Sequence, residues 1–335
     1  MSRGVKGLKN LGNTCYMNSI LQCLSHTVVN TRYFISKDFL NKIDESSSKK
    51  EIVINFYNIL VNIWKDSERK TLDISSFKSS VNRILPQFKG CVQHDAGEFL
   101  IELLECLHEE ICYSHDFEII GEVKSKSDQL VFDSYKQFKQ DYKDKYSKIA
   151  EIFYGQAASM LIFPNHEHIS HKFEEFNHIS LPITEKTNDI YDCFDLYSEV
   201  DSIEAAEYSF EKNGSDFKGK SNALKKLFIF RVPKVLILIL KRFDNDEMKI
   251  NKQIDFPIDD LDISDYVLDS REKKTKYSLY SVVNHYGCTG GGHYTAHCKN
   301  NGIWYNFNDS NVSIVTDIEE LVDESVYILF YKQKE

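Results

Sequence analysis

The stretch Gly7–Leu24, GLKNLGNTCYMNSILQCL, decides how the rest of the chain is read. Its first half is a turn: Gly7, Asn10, Gly12, Asn13 and Thr14 are residues that break regular structure or cap helices. The second half predicts a helix, because Tyr16, Ile20, Leu21 and Leu24 fall on one face at helical periodicity. Asn13 or Thr14 can cap that helix, which puts Cys15 in its first turn. Unpaired N–H groups and the helix dipole there favour thiolate over thiol. Asn10, on the approach to the helix, can aim its amide at an oxyanion forming beside the sulfur. Taken alone, the stretch reads more readily as a buried cysteine among ordinary turn residues, the usual fate of a cysteine.

A second stretch, Val282–Val312, VVNHYGCTGGGHYTAHCKNNGIWYNFNDSNV, supplies what a nucleophile needs. Gly290–Gly292 lets another chain approach the backbone closely, and His293 opens the strand that follows. Asn301-Gly302 is a two-residue hairpin signal; counting outward pairs Asn300 with Ile303, Cys298 with Tyr305 and Thr295 with Asn308. Side chains alternate, so Asn308 becomes the diagonal neighbour of His293, within reach to orient its ring. Asp309 then points to the other face as a supporting residue, unless a bulge intervenes. A Cys–His–Asn set is a recurrent arrangement for acyl transfer: the imidazole shares charge with the thiolate and later protonates the leaving amine.

The remaining sequence is that of an α+β protein. Helical patterns run through Ile52–Trp64, Phe77–Ile84 and the helix within Phe88–Ile111, which has Asp95 near its start; an aromatic stripe from Phe132 to Tyr146 suggests a further amphipathic helix. From Phe153 onward the chain turns strand-like: Phe173–Ile183, Arg231–Phe243, Tyr277–Asn284, Gly292–Lys299, Gly302–Asn308 and Ser325–Lys332. Helices first and antiparallel strands later place the cysteine helix against a sheet. Asn213–Ser221 reads as an exposed loop tip.

With 41 basic and 51 acidic residues among 335, the net charge is −10, which argues against non-specific nucleic-acid binding and suits a basic partner. The apolar run Val235–Leu240 is too short to span a bilayer, so no membrane association is expected. Eight scattered cysteines, none in CxxC spacing, with no signal peptide evident, suggest free thiols in the cytoplasm or nucleus.

Several of these stretches, in order, resemble the ubiquitin-specific proteases. GLKNLGNTCYMNSILQCL is similar to that family's cysteine box and GGGHYTAHCKNNGIWYNFNDSNV to its histidine box. QHDAGEFL (Gln93–Leu100), FEEFNHISLPI, VLILILKRF, IDFP (Ile254–Pro257) and SVYILFY (Ser325–Tyr331) follow the same order. The resemblance implies a papain-like fold in a single catalytic domain over residues 1–335, with a helical thumb mainly in 1–150 and antiparallel fingers and palm mainly in 151–335. It implies hydrolysis of the (iso)peptide bond after the C-terminal glycine of ubiquitin through an acyl-thioester. Carried over by position, Cys15 is the nucleophile, His293 the base and acid, Asn308 the orienting residue, Asn10 the oxyanion donor and Asp309 an assisting polar residue. Asp95 and Glu98 match an acidic pair that holds the arginine-bearing ubiquitin tail; from residues alone they read as a helix cap and a solvated face. Tyr286–Gly292, including Gly291 and Gly292, corresponds to a loop lining the tail's channel, and Asp244–Lys252 to another nearby.

Ubiquitin or ubiquitinated proteins are the partners implied, with an unidentified recruiting or activating subunit also plausible. Two other readings are a catalytically silent ubiquitin-binding scaffold and the same chemistry on another ubiquitin-like modifier. One departure concerns metal. Where many relatives carry two CxxC pairs for a structural zinc, this chain has Phe163 and His166, then Phe210 and Asn213. One histidine cannot close a tetrahedral site, and the nearby His166, His168 and His171 lack cysteine or carboxylate partners, so no metal and no cofactor are expected. Phe163 and Phe210 are expected to pack where the metal would be. His94 replaces a more usual second glutamine.

Overall fold

The computed structural model describes residues 3–44, 46–65, 68–212, 215–243, 248–269, 271, 274–288 and 291–334. Helices α1 (Cys15–His26), α2 (Val28–Ser36), α3 (Lys50–Trp64), α4 (Ser75–Ile84), α5 (Ala96–Glu110), α6 (Lys126–Tyr142) and α7 (Lys148–Phe153) come first, interrupted by the short parallel pair β1 (Gly7–Leu8) and β2 (Thr71–Leu72). Every residue of α1 is buried, so it is the axis on which the helical lobe and the main sheet close. Beyond its apolar stripe it buries the polar groups Asn18, Ser19, Gln22, Ser25 and His26, of which Gln22 donates to the Lys6 carbonyl at 2.7 Å.

Two further sheets follow. Strands β3 (Gly155–Phe163), β4 (His168–Phe176), β6 (Asp201–Lys212) and β7 (Ser215–Arg231) form an antiparallel sheet in the order β4-β3-β7-β6. The larger sheet runs β13 (Asn311–Ile314), β12 (Ile303–Asn308), β11 (Gly291–Asn300), β10 (Lys276–Cys288), β14 (Val326–Gln333), β8 (Val235–Lys241) and β5 (Ile179–Pro182), with β9 (Asp259–Asp262) also on β10. Helix α8 (Ile190–Tyr197) packs beneath it, capped by Asp189.

The unbroken run VLILIL follows from burial on both faces. Val235, Ile237 and Ile239 join the core shared with α1, α3 and α5, while Leu236, Leu238 and Leu240 join a second core on the α8 side. At about 1.5–3 kcal/mol per fully buried aliphatic side chain, this strand is a principal link between the lobes.

Three sequence expectations change. Phe173–Ile183 is not one strand: β4 ends at Phe176 in one sheet and β5 begins at Ile179 in the other. The larger sheet is not wholly antiparallel, because β5 pairs with β8 in parallel, Ile179 opposite Leu238 and Leu181 opposite Leu240. The chain makes the whole β6–β7 excursion between them, which gives room for a parallel return. Asn213 and Gly214 lie outside the described residues, but from Ser215 the expected loop tip is strand β7, paired with β6 through Phe210–Phe217. The aromatic stripe forms a helix from Phe132 to Tyr142, while Tyr146 lies beyond its end, bridged to Tyr113: α6 is capped by Ser125, with Phe138 and Tyr142 at 4.7 Å between ring centroids and Arg231 stacked over Tyr135 and Phe138.

Candidate active site

Cys15 opens α1 and is 4% exposed. Thr14 occupies the cap position but does not cap; its hydroxyl instead accepts the Leu11 N–H at 2.9 Å. Asn13 adopts a left-handed φ of 52° and donates to the Cys91 carbonyl at 2.7 Å. The turn is therefore held by contacts made before the helix begins and leaves the first-turn N–H groups to the sulfur.

Backbone N–H groups of Tyr294, Tyr16 and Cys15 itself all favour the thiolate. Burial outweighs them, and the Asp309 carboxylate adds to it, so the Cys15 pKa stands above the ordinary thiol value. This corrects the expectation of a thiolate drawn from the helix terminus alone.

The Tyr294 contact sets the sulfur one residue along β11 from His293. The imidazole uses Nε2 toward Asn308 Oδ1 at 2.8 Å. With the proton on Nε2, that bond leaves Nδ1 as the basic nitrogen. The hairpin register is the one counted from Asn301-Gly302: Asn300 faces Ile303, Cys298 faces Tyr305 and Ala296 faces Phe307.

Asp309 occupies the tight turn between β12 and β13, with φ of 50°. Its carboxylate accepts Asn10 Nδ2 at 2.8 Å and Asn18 Nδ2 at 2.6 Å. It thus orients Asn10 and Asn18, while the imidazole is held by Asn308. Asn10 Oδ1 accepts the Gly12 N–H at 3.0 Å and the Thr14 N–H at 3.3 Å, so both ends of the amide are held. Gly7 is required here, because an added Cβ would run into the backbone of Asp309 and Ser310. Asn18 escaped the sequence reading; the available signal was a carboxamide one turn after the cysteine on an otherwise buried helix.

Asp95 caps α5, accepting the Glu98 N–H at 2.9 Å, and its other oxygen accepts the hydroxyls of Tyr327 at 2.7 Å and Tyr294 at 3.2 Å. Glu98 is exposed, and partial burial together with the neighbouring Asp95 and Glu102 pushes its carboxyl pKa up. Both border a groove of about 340 Å³ with Ile101, Ile239, Phe243 and Tyr327. Tyr286 is 42% exposed and stands opposite His293 in the β10–β11 ladder. Nothing lies within 4 Å of a Cβ built on Gly291, whereas one on Gly292 would strike Nε2 of His285 and come within 2.7 Å of the Tyr286 carbonyl oxygen. Gly292 is glycine because of this chain's own packing. Gly290 and Asp244–Glu247 lie outside the described residues. His94 packs edge-on against Tyr16 and Phe88, at 5.4 and 5.2 Å between centroids.

At the far end of β3 and β6, Phe163 is fully buried against His168 and Tyr208, and Phe210 stacks on His168 at 4.0 Å. Phe163 and Phe210 thus share His168 and Tyr208 as neighbours, with His166 against Tyr208. Asn213 lies outside the described residues, and, contrary to the sequence expectation, His171 has a carboxylate partner: Asp133, at 3.2 Å, from α6. Among the described residues no group of three His, Cys, Asp or Glu is placed to hold a metal ion, and no helix is long and apolar enough to cross a membrane.

A cysteine at the head of a helix packed on the strand that carries a histidine, itself paired with a carboxamide, is the arrangement that thiol hydrolases use. The family model described as ubiquitin carboxyl-terminal hydrolase matches residues 6–331, and the chain belongs to that family. Ubiquitin carboxyl-terminal hydrolase 2 of Bos taurus is 34% identical over 345 residues, covering 99% of this chain and 55% of that protein. The chain thus spans little more than half the length of that relative. The Gallus gallus protein of the same name is 32% identical over 98% of this chain and 94% of its own. Among solved structures, the SAGA Ubp8/Sgf11/Sus1/Sgf73 DUB module bound to ubiquitin aldehyde superposes with a TM-score of 0.78 and 26% identity, over 99% of this chain and 70% of that one. The mixed α+β architecture is that of the ubiquitin-specific proteases.

Proposed function

We propose that this chain is a deubiquitinating thiol hydrolase that cleaves the (iso)peptide bond after the C-terminal glycine of ubiquitin. The observation that carries the reading is the packing of α1, which Cys15 opens, against β11, which carries His293, whose ring is held by Asn308 at 2.8 Å. His293 takes the thiol proton as Cys15 attacks the glycine carbonyl. That transfer is needed because the resting thiol is held above its ordinary pKa. Asn10, fixed by Asp309, donates to the oxyanion; His293 then protonates the departing amine, and water resolves the thioester with His293 as base.

Glu98 is the better placed of the acidic pair for an arginine of the tail, since Asp95 is already engaged by the α5 terminus and two tyrosines. Gly291 offers open backbone for a side-chain-free tail. The similar SAGA module holds Sgf11, Sus1 and Sgf73 beside Ubp8, which supports a partner subunit here as well.

A ubiquitin probe with an electrophilic C-terminus tests the reading. Covalent capture at Cys15, lost in Cys15→Ala together with hydrolysis of ubiquitin conjugates, is expected. Reversible binding without capture indicates the scaffold instead, and capture only by another modifier redirects the substrate. Persistent turnover in Cys15→Ala discards the mechanism.

A further inference from the structure

We propose that Gln93 is a positioning residue for His293, clamping the glycine that precedes it to the helical lobe; this rests on the roles assigned to Cys15 and His293 above. The Gln93 carboxamide donates through Nε2 to the Gly292 carbonyl at 2.6 Å and accepts the Gly292 N–H through Oε1 at 2.7 Å. One side chain thus takes both polar groups of one backbone residue, as a neighbouring strand would. The two residues are separated by 199 positions, so the clamp joins the approach to α5 to the start of β11.

The Gly292 carbonyl belongs to the same planar peptide unit as the His293 N–H, so fixing its direction fixes the entry into His293. Glycine is the residue with the widest choice of backbone angles, and this one is partly exposed near the hairpin end. A second tether lies on the other side of His293. Two residues after Gln93, the Asp95 carboxylate accepts the hydroxyl of Tyr294, whose N–H faces the Cys15 sulfur. His293 is therefore bracketed: Gly292 before it and Tyr294 after it are both tied to the segment that leads into α5. Gln93 itself is exposed and caps no helix, so its contribution is to the geometry of β11 and not to the core.

The test compares the wild-type chain, Gln93→Ala and Gln93→Glu in hydrolysis of a fluorogenic ubiquitin C-terminal amide and in alkylation of Cys15 by iodoacetamide across pH. Iodoacetamide does not engage the tail groove; followed by mass spectrometry at the Cys15 peptide, apart from the exposed thiols of Cys91 and Cys288, it reports that sulfur and its base. Gln93→Ala is expected to lose about 10–100-fold in kcat with KM little changed, the scale of a misplaced catalytic group. Its alkylation profile should shift toward that of His293→Ala. Gln93→Glu keeps the length and one acceptor but sets a carboxylate against the Gly292 carbonyl, so it should lose at least as much. Thermal midpoints within about 2 °C of wild type confirm that the fold is intact. A rise in KM alone, a gain in activity, or an unchanged alkylation profile overturns the proposal. A wild-type chain that neither hydrolyses the substrate nor is captured by the electrophilic probe removes the enzymatic reading itself, a separate result.

Discussion

Replacing Asp309 by alanine should drive two measurements in opposite directions. The carboxylate holds Asn10 at 2.8 Å and Asn18 at 2.6 Å, and it opposes ionisation of Cys15. A hydrogen bond to a charged group contributes about 1.5–3 kcal/mol, reduced here because Asp309 is half-exposed. Losing the bond that fixes Asn10 should then cost about 1.5–2 kcal/mol of preorganisation, or roughly 10–30-fold in kcat. The ceiling is the 10²–10³-fold loss typical of deleting an oxyanion donor outright. Asn308→Ala removes one neutral hydrogen bond, 2.8 Å long, of about 1 kcal/mol, so its loss should be smaller, near fivefold. Meanwhile, removing the negative charge lowers the Cys15 pKa toward the ordinary thiol value. Alkylation of Cys15 by iodoacetamide near neutral pH, read at its own peptide apart from Cys91 and Cys288, should therefore speed up in Asp309→Ala while ubiquitin hydrolysis slows. Parallel steady-state and alkylation kinetics on the two variants decide the matter. If alkylation slows together with hydrolysis, Asp309 acts through the imidazole and the reasoning fails.

Cys15→Ala should abolish turnover and probe capture while leaving the fold intact, as read by activity assay, gel shift and circular dichroism. Gly292→Ala should cost activity by about 10–100-fold and lower the thermal midpoint, because its methyl group meets His285 and the Tyr286 carbonyl; Gly291→Ala, with open space around it, should leave the midpoint within about 2 °C. Asp95→Ala removes a helix cap and the acceptor of two tyrosine hydroxyls, so it should destabilise by about 1–3 kcal/mol in urea unfolding. Glu98→Ala should leave stability nearly unchanged and raise KM for ubiquitin substrates, an effect that weakens as added salt screens the pairing. The alkylation and hydrolysis tests of Gln93 complete the set.

Local patterns made much of this protein legible in one dimension. The 3.6 period after Cys15 fixed a buried helix, and the uninterrupted VLILIL marked a strand too short to span a bilayer. Asn301-Gly302 set the hairpin register, and alternation then delivered Asn308 to His293 without any long-range information. These features depend on residues a few positions apart, whose relative geometry the backbone itself dictates.

Tertiary structure decided what depends on segments distant in sequence. The break of Phe173–Ile183 between two sheets and the parallel seating of β5 on β8 came from partners that pattern alone does not name. Alternation says which face a residue occupies, but not what waits there: Asp309 met Asn10 and Asn18, Asp95 met two tyrosines, and Gln93 met Gly292. The sign of the Cys15 shift turned on the same cause. Helix position supplies N–H groups whatever surrounds them, whereas desolvation exists only once β11 and the Asp309 turn close over the sulfur.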